Sequence, residues 1–137
     1  MFRIALTALP LAGCLYYEAD PPAPGPRNDG APLFVYADAG CYPDEYYHDF
    51  VWYFDADVDD PDGAIDVVAV YADVYDTWDG SWVDGFELYP ENGLTWFSAW
   101  IGDTTWLNCD YPGYVVDLTA IDSWDADTVA TVSPDTW

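Results

Sequence analysis

The chain has 137 residues, 26 Asp and Glu against 2 Lys and Arg, a formal net charge of −24 and a hydrophobic fraction of 52%. That much apolar side chain argues against disorder, and the length is enough for one domain with its own core. Both basic residues, Arg3 and Arg27, precede residue 28, while 24 of the acids follow it, so the body has no Lys or Arg for phosphate contacts and a nucleic-acid partner is not expected.

Met1-Phe2-Arg3 is a short cationic start, and Ile4 to Gly13 is apolar apart from Thr7. The run is too short to span a bilayer, which takes about 20 apolar residues, and it reads as a cleaved export signal. Its last residues with Cys14, Leu11-Ala12-Gly13-Cys14, resemble the lipobox of bacterial lipoproteins. The resemblance implies a lipid on Cys14, a mature chain that starts there, and an anchor in the cell envelope. Leu15, in place of Asp, favours the outer membrane by the sorting rule of well-studied Gram-negative envelopes. Tyr16 to Arg27 holds Pro21, Pro22, Pro24, Gly25 and Pro26, the composition of a spacer. The expected organisation is a signal over residues 1–13, a lipid-anchored Pro-rich linker over 14–31, and a domain over 32–137.

The domain reads as all-β. Apolar runs rich in Val, Tyr, Trp and Thr predict strands over 33–37, 47–56, 65–75, 81–89, 94–101, 114–121 and 128–132. Asp79-Gly80 and Asn92-Gly93 supply turn signals. No segment shows an apolar period of 3.6. About seven short strands in about 100 residues predict a β-sandwich. Asp60-Pro61-Asp62-Gly63 with Ile65 to Val70 resembles the second-to-third strand turn of bacterial immunoglobulin-like modules, PKD-like and fibronectin type III-like among them. Tyr114 to Ser123 resembles their penultimate strand. The Trp-Asp-Phe-Gly-Asp-Gly signature of the PKD family is absent, so the resemblance reaches the broad immunoglobulin-like class and no single family.

That resemblance gives the loops a place. It implies that the loops before strands two and six lie at one end and carry Cys41 and Cys109. If Cys14 takes lipid, these two form a pair in an exported protein, and an oxidising compartment favours a disulfide; two free buried thiols are the alternative. The loops after strands two and six would lie at the other end. They carry Asp55, Asp57, Asp59, Asp60 and Asp62 on one side and Asp122, Asp125 and Asp127 on the other. Several Asp near a Gly turn suit Ca²⁺, which takes six to eight oxygens, so Ca²⁺ is the expected cofactor; a solvated acidic turn is the alternative. No EF-hand pattern is present. A single His and few thiols give Zn²⁺ little support.

The 8 Trp and 12 Tyr exceed what one small core hides. Exposed Trp78, Trp82 and Trp124 would suit sugar stacking, with ordinary packing as the alternative. Trp96 and Trp100 share one face of the fifth strand, inward or outward. No Gly-x-Ser-x-Gly, phosphate loop or Cys–His pair marks an enzyme, and His48 reads as structural. The functional expectation is a lipid-anchored, non-catalytic structural or adhesive module that meets a surface protein or a glycan, with a carbohydrate-binding module as the alternative.

Overall fold

A computed structural model describes residues 30–136. The expected export signal, Cys14 and most of the expected linker lie outside the described residues. The domain is all-β, with seven strands: β1 (Leu33–Asp44), β2 (Asp49–Asp59), β3 (Val67–Asp76), β4 (Trp82–Pro90), β5 (Thr95–Ile101), β6 (Tyr114–Asp122) and β7 (Asp127–Val132). Every strand pairing is antiparallel, and the order across the sheet is β1-β2-β5-β4-β3-β6-β7. This is the immunoglobulin arrangement with one modification. A constant-type immunoglobulin sandwich puts its first, second, fifth and fourth strands in one layer and its third, sixth and seventh in the other. Here β4 joins both: its body pairs with β3, and Tyr89 and Pro90 at its end pair with Phe97 and Trp96 of β5. No helix among the described residues is long and apolar enough to cross a membrane.

Alternation builds the core. Trp52, Phe54, Ala56 and Val58 of β2 face Val70, Ala72 and Val74 of β3 and Val116, Leu118 and Ala120 of β6, all buried. Phe54 stacks on Phe86 at 4.7 Å, and Trp52 meets Tyr114 edge-on at 5.9 Å. Trp96 is buried and Trp100 lies 5.6 Å from Phe86, so both turn inward. Edge strand β1 is covered by the chain beyond β7. Cys41 N donates to Asp135 O and Asp135 N to Ala39 O, each at 2.9 Å. Gly40 permits this approach, because a Cβ there would sit 2.7 Å from Asp135 O and 2.8 Å from the Tyr53 hydroxyl.

The register fixes two ends. The β1–β2, β3–β4 and β5–β6 connections lie at one, and the β2–β3, β4–β5 and β6–β7 connections at the other. The described chain enters at the second end, where Pro32 is buried and Leu33 pairs with Asp59.

Candidate functional site

The β2–β3 connection is shaped by carboxylates that accept backbone amides. Asp60 Oδ1 accepts the Asp62 amide at 2.8 Å, and Asp60 O accepts that of Gly63 at 2.8 Å. Gly63, at φ +105°, takes a conformation that side chains resist. The chain then makes a 3-10 turn over Ala64–Asp66. Asp66 is tied across to the β6–β7 turn: its O accepts the Ser123 amide at 2.9 Å and its Oδ1 accepts the Ser123 hydroxyl. In that turn Asp122 is buried, and its Oδ1 accepts the amides of Trp124 and Ala126, each at 2.8 Å.

The outcome is a three-carboxylate cluster. One oxygen each from Asp60, Asp62 and Asp66 lies within 4.8 Å of the others. Asp60 is only 5% exposed, and its Oδ2 and that of Asp66 are buried with no hydrogen-bond partner. Burial holds the Asp60 carboxyl above its ordinary 3.8, against the lowering effect of the Asp62 amide, and the charges of Asp66, Asp122 and Asp62 add to the rise.

The sequence placed more acids here than the fold does. Asp59 is exposed at the end of β2, with its Oδ1 accepting the Asp60 amide at 2.8 Å, and Asp125 is exposed at φ +61° in the β6–β7 turn. Asp127 is exposed at the start of β7. Asp55 and Asp57 do not reach the tip. Strand β2 runs on to Asp59, so its two-residue period turns them to the outer face, across from Asp38 and Tyr36. There Thr95 Oγ1 donates to Asp57 Oδ1 at 2.8 Å. Burial first, then the charges of Asp57, Glu91 and Asp38, raises the Asp55 carboxyl. The Tyr53 hydroxyl, which donates to Asp38 at 3.3 Å, is pushed up to about 12 by burial and that carboxylate. Asp66 was missed; its one signal is that it is the first acid after the Gly63 turn.

At the opposite end Cys41 and Cys109 form a disulfide, with Cα atoms 6.1 Å apart. Cys41 is not in a loop, as the resemblance implied. Strand β1 continues through it, past Gly40, and pairs it with Trp52. Tyr114, at the start of β6, accepts the Asn108 amide on its hydroxyl at 3.0 Å, a backbone tie of the kind a tyrosine corner makes at that strand, though here Cys109 lies before the Tyr and not after it. Around this end stand exposed aromatics: Tyr46 (85% exposed), Tyr47, Trp78 (90%) and Trp106 (84%). An open cleft of about 340 Å³ at the same end is lined by Asp49, Phe50, Trp52, Leu107 and Cys109. His48 is exposed in the β1–β2 turn at φ +53°.

The three Trp residues named for sugar stacking lie at different places. Trp78 and Trp82 flank the β3–β4 turn, while Trp124 is half-buried in the β6–β7 turn at the other end. Trp82 alone lies on an outer sheet face. Its Nε1 donates to Asp73 Oδ1 at 2.9 Å, and its ring covers Gly85 so closely that a Cβ there would sit 3.2 Å from it. Tyr71, Glu87 and Thr119 line the same shallow depression. Comparison with protein-family models, with curated proteins and with solved structures gives no match.

Proposed function

We propose that this is an exported, lipid-anchored envelope protein, with the outer membrane favoured, whose single immunoglobulin-like sandwich is a non-catalytic structural and adhesive module. One observation carries the reading. The domain is entered from the linker at the acidic end, and the exposed Tyr46, Tyr47, Trp78 and Trp106 lie at the far end. A tether at one end and rigid aromatic loops at the other suit a module that reaches outward from a membrane. Trp and Tyr give large contact area at low conformational cost, and the disulfide stiffens the end that presents them.

Two experiments test the two halves. Cys14→Ser in the full chain should move the protein from the membrane fraction to the soluble fraction, because the lipid supplies most of the membrane affinity at about 0.8 kcal/mol per buried CH₂. A Cys14→Ser protein that still pellets with membranes refutes the anchor. For the adhesive half, a photo-crosslinking residue at position 106 should capture envelope partners that the same residue at position 129, on the outer face of β7, does not. Equal capture from both sites removes the distal tip as the binding surface.

A carbohydrate-binding reading is favoured by the Trp82 face, where the indole donates to Asp73, which with Tyr71 and Glu87 lines a shallow depression. A glycan array on the wild type and Trp82→Ala separates it: a sugar lost with Trp82 supports a glycan module, and an array without hits leaves the adhesive reading to a protein partner.

A further inference from the structure

We propose that Asp60, Asp62 and Asp66 hold one Ca²⁺ within the β2–β3 connection, beside the point where Asp66 ties it to the β6–β7 turn. The inference goes beyond the adhesive reading and does not depend on it. The three carboxylates converge within 4.8 Å, but convergence alone also describes a solvated acidic turn. The second observation is the state of the oxygens. Asp60 is 95% buried by exposure of 5%, and its Oδ2, like that of Asp66, has neither solvent contact nor a hydrogen-bond donor. The other oxygen of each is already used, Asp60 Oδ1 by the Asp62 amide and Asp66 Oδ1 by the Ser123 hydroxyl. A buried, ionised oxygen without a partner is strongly disfavoured.

Among the described residues there is no Lys or Arg to pair with these oxygens, and His48 lies in the β1–β2 turn at the opposite end. Within the described domain, a proton or a cation from solution is the partner that remains.

The donor set selects the ion. All three ligands are carboxylate oxygens, which suit hard cations and not Zn²⁺ or Cu²⁺. Oxygens bound to one Ca²⁺ at about 2.3–2.6 Å lie up to about 5 Å apart, a span the cluster fits, and Ca²⁺ sheds water for carboxylates more readily than Mg²⁺ does. Three carboxylates with water in the remaining positions correspond to a Kd of about 0.1–1 mM, the range of extracellular Ca²⁺ modules.

Thermal melts of the full chain, in millimolar CaCl₂ and in NaCl of equal ionic strength, provide the test. Because Ca²⁺ binds only the folded state, the midpoint should rise by about 5 °C at ten times Kd over the NaCl control. Asp60→Asn and Asp66→Asn should each lose that rise. Asp110→Asn, at the cysteine end, should keep it. Calorimetric titration of the wild type with CaCl₂ should saturate at one ion per chain, a readout that does not require either variant to fold. A wild-type midpoint no higher in CaCl₂ than in NaCl, a rise that survives in Asp60→Asn, or a titration that never saturates overturns the site and leaves a shared proton as the occupant.

Discussion

Asp122 Oδ1 accepts the amides of Trp124 and Ala126, Asp44 Oδ1 those of Tyr46 and Tyr47, and Asp76 and Asp79 those of Trp78 and Ser81. Each is a short side chain turned back on the backbone two to four residues on, the habit that makes Asp a turn residue. In a domain without Lys or Arg these amides take the place that cationic side chains fill elsewhere, and they hold most of the turns. Asp55 is less well served, since it stands directly across from Asp38 on the outer face of β2. Like charges in that position are destabilising. Asp55→Asn should therefore stabilise the domain by about 0.5 kcal/mol at neutral pH. The sign follows from its raised carboxyl. The contribution of Asp55 to stability is whole below the unfolded value near 3.8 and is lost as pH rises through the higher folded value. Urea unfolding should show the variant ahead at pH 7 and level with the wild type once the pH falls below that unfolded value; an equal gap at both would mean the gain is not electrostatic.

Strand β1 shows what was legible in the sequence and what was not. Strands β3 to β7 start and stop within about two residues of the expected runs, because Asp79-Gly80, Asn92-Gly93 and the Pro61-Asp62-Gly63 turn punctuate alternating apolar segments. The expected first strand stopped at residue 37, and Gly40 and Pro43 beyond it are residues that weaken a strand locally. The strand runs on to Asp44 because β2 offers a partner along its whole length and Asp135 closes its other edge over Gly40. That closure joins residues far apart in sequence and leaves no local mark. The acidic end was likewise legible as a place, through its dense Asp run, but not as a ligand set. A strand three residues longer than expected sends Asp55 and Asp57 elsewhere, and Asp66 enters only through the turn. The disulfide that ties β1 to the β5–β6 connection closes a separation of 68 residues. The chain-entropy model gives such a loop about 4 kcal/mol. Cys41→Ala with Cys109→Ala should lose most of that in denaturant unfolding. A loss under about 1 kcal/mol would place the stabilisation in packing around Trp52 instead.

Over the whole molecule, a net charge of −24 must be balanced by the medium. The self-repulsion of so many carboxylates opposes the compact state, and salt shortens its reach from about 30 Å at 0.01 M to about 3 Å at 1 M. The melting midpoint should rise with NaCl across that range, most steeply at its dilute end, in the wild type and in Asp60→Asn alike. A midpoint indifferent to NaCl would show that the acids are spaced widely enough not to repel. The disulfide has a further consequence at this scale, a mechanical one. A pull between the linker at residue 30 and a partner held at Trp106 would run up β1 only as far as Cys41, cross the Cys41–Cys109 bond, and leave through the β5–β6 connection. Strands β2, β3, β4 and β5 lie between the two cysteines in sequence, so the covalent path of the pull does not run through them. Along the loaded stretch, β1 is bonded side by side to β2 over Leu33 to Cys41, which places its hydrogen bonds in shear instead of letting them unzip one at a time.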